Sequence, residues 1–166
     1  MPLEYMTYFS RVVIKSNRDK LFVFGDNLAR KGYGGQAKEA RGEPNAVGIP
    51  TKRVPSYAEN AYLCDDDFAE WEEASRPDMY RIENWLGGGY TVVWPEAGIG
   101  TGLACLPICA PKIYQAIKAW EARIGARNYL APEVAGKRSI EDVKSEIMNR
   151  VQQTDIAEHI PISYKP

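Results

Sequence analysis

The feature that most constrains this chain is one order of elements that occurs twice: a short strand, a glycine-rich loop, then a helix. Residues 21–24 (Leu-Phe-Val-Phe) form an apolar run that ends at Gly25. Such a run, apolar on both faces, reads as a strand inside a covered sheet. The loop 25–37 follows, with glycines at 25, 32, 34 and 35, and residues 36–41 read as a short helix stopped by Gly42 and Pro44. Residues 90–94 (Tyr-Thr-Val-Val-Trp) are the clearest strand, since every residue favours extended backbone. Pro95 ends it, and the loop 95–107 brings glycines at 98, 100 and 102 before a helix over about 107–124. In that helix Ile113, Ile117, Trp120 and Ile124 recur at spacings of three and four, one apolar stripe.

Between these two units, residues 46–49 read as a further strand ended by Pro50, and residues 54–64 as loop. Residues 65–86 are helix-forming, with Asp65 as N-cap, Pro77 dividing the stretch into two helices, and Gly87, Gly88 and Gly89 stopping it. Residues 11–14 read as a neighbouring strand. Near the C-terminus, residues 138–152 form an amphipathic helix capped by Ser139, with Ile140, Val143, Ile147 and Val151 on one face, and residues 156–166 a final strand or strap. Strands alternating with helices predict a single α/β domain over 1–166, with a mixed, mostly parallel central sheet flanked by helices in three layers.

Composition narrows the function classes. The 166 residues carry a net charge of -1, too little excess Lys and Arg for a general nucleic-acid binder. No apolar run approaches the ~20 residues that cross a bilayer, so no membrane partner is expected. The first residues lack the charged start and apolar block of a signal peptide. Three cysteines, Cys64, Cys105 and Cys109, form no disulfide framework and fit a reducing cytoplasm. With His159 the one histidine, a zinc site is not expected, and neither metal nor cofactor is assigned.

In a parallel α/β sheet, loops that leave the carboxyl ends of strands gather at one edge, where ligands bind. Glycines let backbone approach a ligand, and amides in such loops favour anions. Two loops of this kind suit a diphosphate held between them. The expected contacts are Gly25, Gly32, Gly34, Gly35 and Gln36 from the first loop, and Gly98, Ile99, Gly100, Thr101, Gly102 and Leu103 from the second. Asp26 and Asn27, just past the first strand, are the candidate catalytic pair: Asp26 to accept from a sugar hydroxyl or orient a water, Asn27 to donate to a hydroxyl or carbonyl. The second loop is neither the dinucleotide fingerprint, since its third glycine comes one residue too soon, nor a P-loop, since no Gly-Lys-Ser/Thr follows.

Other residues have both a sharp and a plain reading. Lys52 follows the strand 46–49 and can touch a phosphate or act as a nucleophile, or be a solvated loop lysine. Lys31 has the same two readings. Glu96 is a general base or an ordinary strand-end carboxylate. Tyr33 and Tyr57 can stack on a ring. Cys105 is read as a packing residue, His159 as structural, and Asp65, Asp66 and Asp67 as a helix start rather than a metal cluster.

Together the loops resemble those of macrodomains, the ADP-ribose-binding family. Asn27 stands at the turn and Gly34-Gly35 at the glycine pair of that family's first loop. Gly100-Thr101-Gly102-Leu103 followed by Pro107 reproduces the spacing of its second, and residues 110–117 match the helix that follows. The resemblance spans about residues 20–125. Gly25-Asp26-Asn27 stands in place of the usual Asn-Ala-Ala-Asn turn, and Cys105 occupies a position that often holds glycine. The resemblance implies a macro-like fold that binds ADP-ribose or a derived nucleotide. Its partners would be that nucleotide or an ADP-ribosylated macromolecule. The implied activities are hydrolysis of an ADP-ribosyl linkage or non-catalytic reading of a signalling nucleotide. A Rossmann-like nucleotide-dependent enzyme is the remaining alternative.

Overall fold

Alternation along the strands decides the layering. In the computed structural model, which describes residues 3–127, four strands form one sheet: β1 (Leu3–Met6), β2 (Lys20–Asn27), β3 (Ala46–Lys52) and β4 (Thr91–Pro95). Leu21, Val23, Val47, Ile49, Val92 and Trp94 all face one side of it. There they pack on Trp71, Ile82 and Leu86 of α3 (Phe68–Gly87) and on Ile113, Ile117, Trp120 and Ile124 of α5 (Pro111–Ala126). Phe22, Phe24, Ala46 and Val93 face the other side, against Phe9, Ile14 of α1 (Arg11–Ser16), and Ala37 and Ala40 of α2 (Ala37–Ala40). The sheet is therefore covered on both faces, which explains why its strands read as unbroken apolar runs.

The strand order is β1-β4-β2-β3, and every strand pairing among the described residues is parallel. The expected mixed sheet is thus all-parallel here; one isolated antiparallel bridge joins Lys52 to Tyr62. β2 and β4 are neighbours, yet the helix after β2 packs on one face and the helices after β4 on the other. The helices thus leave on opposite sides, as at the switch point of an open α/β sheet, where a crevice lies beyond the carboxyl ends of the strands.

Four expectations are corrected. Residues 11–14 are helical, not extended: the Ser10 side chain accepts from the Val13 amide at 3.3 Å and caps α1. Only Ile14 of that helix is buried. β2 does not stop at Gly25. Its partner β3 runs on to Lys52, so pairing continues through Asp26 and Asn27, with a register shift between them. Pro77 does not split α3, because it lies on the exposed side of a helix whose other face is held by Trp71, Ser75, Ile82 and Leu86. The helix expected over 107–124 is divided instead, into α4 (Leu106–Cys109) and α5, with Pro111 opening the second. The edge strand β1, unrecognised in the sequence, precedes α1. The helix over 138–152, the tail and His159 lie outside the described residues.

Candidate functional site

The loops after β2, β3 and β4 surround a cavity of about 600 Å³ at the carboxyl edge of the sheet. All the expected ligand contacts line it: Gly25, Gly32, Gly34, Gly35 and Gln36 from the β2 side, and Gly98, Ile99, Gly100, Thr101, Gly102 and Leu103 from the β4 side. The loops nearly touch, since a Cβ built on Gly34 would lie 3.9 Å from Leu103 Cδ1. Gly32, Gly35, Gly98 and Gly100 all have positive φ, so the curvature of both loops depends on glycine.

The β4 loop is shaped by internal bonds that leave its amides free. The Cys105 and Leu106 amides donate to the Gly102 and Gly100 carbonyls at 3.1 and 3.0 Å, and Thr101 Oγ1 donates to the Ala97 carbonyl at 2.8 Å. The amides of Ile99, Gly100, Thr101, Gly102, Leu103 and Ala104 reach no backbone carbonyl among the described residues, and neither do those of Gly32, Tyr33, Gly34 and Gly35. Successive free amides facing a concavity form an anion-binding surface.

Asp26 and Asn27 separate. Asn27 lines the cavity, but its side chain closes its own loop: Nδ2 donates to the Lys31 carbonyl at 2.7 Å, and Oδ1 accepts from the Lys31 amide at 3.3 Å. Asp26 is buried and does not line the cavity. Its side chain lies on the α2 face, beside Gly48 and Phe24, where the Arg41 guanidinium pairs with both carboxylate oxygens and Arg30 approaches to 3.7 Å. Asp26 instead holds Arg41, which donates through Nε to the Gly32 carbonyl at 2.7 Å and through Nη2 to the Lys31 carbonyl at 3.2 Å. Arg41 lines the cavity and ties the first glycine loop to the sheet.

A second anchor lies at Arg30, itself at positive φ. It donates to the Gly48 carbonyl at 2.7 Å and pairs with Asp78 of α3 at 2.5 Å. Burial pushes the Asp78 carboxyl up from its ordinary range, and the Arg30 guanidinium pulls it part of the way back.

The third wall was not foreseen as a unit. Thr51, Lys52, Pro55, Ser56 and Tyr57 line the cavity after β3. The signal was present: Thr51-Lys52-Arg53 is a polar run directly after an apolar strand. Arg53 leaves this wall to pair with Asp67, whose other oxygen accepts from the Cys64 amide at 2.9 Å. The acidic run 65–67 is accordingly a turn ahead of α3. Glu96 is exposed, accepts from Thr7 Oγ1 at 2.5 Å and does not line the cavity.

The electrostatics are one-sided. Among the described residues Lys31, Arg41 and Lys52 line the cavity and no Asp or Glu does. No group of three His, Cys, Asp or Glu placed to hold a metal occurs among the described residues. The arrangement offers free amides and cations, which is chemistry for holding an anion.

No curated protein and no solved structure matches the chain. Residues 4–120, which run from β1 into α5 and include every wall of the cavity, match a family model described as a family of unknown function, DUF7831, and the chain belongs to that family.

Proposed function

We propose that the cleft binds ADP-ribose or a nucleotide derived from it, with the diphosphate between the two glycine loops. One observation carries this reading: among the described residues the cavity is lined by loop residues whose amides have no backbone partner and by Lys31, Arg41 and Lys52, with no carboxylate. An anionic ligand is what such a lining stabilises. The volume of about 600 Å³ falls within the range of small-molecule sites. The exposed rings of Tyr33 and Tyr57 at the cavity wall supply flat surfaces for a base or sugar. The likeness of both loops to macrodomain loops selects ADP-ribose among diphosphate nucleotides.

Binding without turnover fits better than hydrolysis. A general base must reach the reacting proton, and the candidate carboxylate, Asp26, is held by Arg41 behind the wall. Titration calorimetry with ADP-ribose, NAD, ATP and a cyclic ADP-ribose isomer tests the reading. Tight ADP-ribose binding with unchanged ligand recovered afterwards is expected. Heat with ATP or NAD alone would favour the Rossmann-like alternative, and no heat with any of them would sink the proposal. A de-ADP-ribosylation assay on wild type and Asn27→Ala decides turnover: release by wild type would restore the hydrolase reading, and its loss in an Asn27→Ala protein that still binds ADP-ribose would assign Asn27 to the step.

A further inference from the structure

We infer that Lys52 is the specificity-determining residue of the cleft, pairing with an ionised phosphate oxygen of the ligand and excluding ligands that carry a cation there. The inference rests on the cleft being the ligand site proposed above. Of the three lining cations, Arg41 is already neutralised by Asp26 and Lys31 is exposed to solvent. Lys52 is different. It is only 8 % exposed and makes no ion pair with any carboxylate among the described residues. Its one hydrogen-bond acceptor there is the Ser56 carbonyl, so two of its three ammonium donors remain.

A buried charge without a counterion is costly, and proteins retain one where something else pairs with it. The rings of Tyr62 and Tyr57, 4.2 and 5.1 Å from Nζ, offset part of that cost without neutralising the charge. They also fix the position of the ammonium of a residue that lines the cavity. The backbone is fixed from both sides: Lys52 pairs with Asn27 in the sheet and bridges to Tyr62. The Lys52 carbonyl also accepts from the Leu28 amide at 2.9 Å, which joins this residue to the start of the first glycine loop. A phosphate bound against the loop amides thus meets a pre-positioned cation, and a pyridinium in the same cavity meets, among the described residues, no carboxylate that would balance it.

The test is calorimetry on wild type, Lys52→Gln, Lys52→Arg and Lys31→Gln, with inorganic pyrophosphate, ADP-ribose and NAD as probes, at several salt concentrations. Lys52→Gln is expected to weaken pyrophosphate and ADP-ribose by roughly 10- to 100-fold, the value of a charge-assisted bond. It should also flatten the salt dependence of binding. Lys52→Arg should recover most of the affinity, Lys31→Gln should lose less than about threefold, and wild type should prefer ADP-ribose to NAD by about tenfold or more. Pyrophosphate binding with no ADP-ribose binding would overturn the nucleotide proposal and leave Lys52 to be judged on pyrophosphate. A Lys52→Gln protein that melts and binds like wild type overturns the inference. So does a Lys52→Gln loss that Lys52→Arg fails to recover and that leaves the salt dependence unchanged, since that pattern marks a structural lysine. Equal affinity for NAD and ADP-ribose removes the charge selection, and a wild type that binds none of the probes overturns both proposals.

Discussion

Asp26 and Arg41 form the ion pair that fixes the first glycine loop: the guanidinium that clasps the Asp26 carboxylate also donates to the Gly32 and Lys31 carbonyls. Both partners are largely buried, with side-chain exposures of 4 % and 15 %. Removing one leaves the other uncompensated, which typically costs about 3–5 kcal/mol. Asp26→Ala should therefore lower unfolding free energy by about 3 kcal/mol in a urea titration. Any loss of ligand affinity should come with the loss of loop order, and Arg41→Ala should reproduce it. An Asp26→Ala protein of wild-type stability would contradict the anchoring role.

Two glycines of the second loop separate fold from ligand contact. Gly100 has φ +84, and a Cβ there would collide with Leu106. Gly100→Ala combines left-handed strain with overpacking and should cost on the order of 2–4 kcal/mol. At Gly102 a Cβ meets nothing within 4 Å and φ is not positive. Gly102→Ala should melt within about 2 °C of wild type, yet bind ADP-ribose about tenfold more weakly if ligand approaches this backbone closely. Unchanged affinity in that variant would place the ligand away from Gly102.

The layering was legible from the sequence because both faces of β2, β3 and β4 are apolar, and the cleft because the glycines follow strand ends. What escaped depends on partners remote in sequence. Nothing local to Asp26 says that it faces Gly48 and Arg41 rather than the cavity. The true end of β2 is set by how far β3 runs beside it. Val12-Val13-Ile14 has the β-branched composition of a strand, but Val12 is 72 % exposed and Ser10 caps a helix there. The four residues of β1 are too few to show a period, and Tyr5 among them is exposed.

Asp78 makes the loop anchor pH-sensitive. Burial raises its carboxyl in the folded protein, so folding favours the protonated acid despite Arg30. That contribution is full below the unfolded aspartate value of about 3.9 and is lost as pH rises through the raised folded value. Relative to Asp78→Asn, wild type should lose melting temperature as pH rises from the unfolded aspartate value of about 3.9 through the raised folded value. A difference between the two proteins that stays constant over this range would show that Asp78 keeps an ordinary titration.

Cys105 is the position where backbone conformation and loop function can be tested together. It adopts φ 49 and ψ 30, a left-handed geometry that costs an L-residue roughly 1 kcal/mol. Its amide closes the second loop onto the Gly102 carbonyl. The side chain is exposed, so little packing is lost when it is removed. Cys105→Gly relieves the strain but adds freedom to the unfolded chain, and the balance should be a gain of about 0.5 kcal/mol. Cys105→Val, β-branched, should lose about 1–2 kcal/mol. Urea titration orders the three proteins. Ligand affinity should follow, with the glycine variant near wild type and the valine variant weaker, because the left-handed residue 105 is the one whose amide closes the loop onto Gly102. A glycine variant more than about 1 kcal/mol less stable than wild type would show that the thiol, and not the backbone, secures the loop.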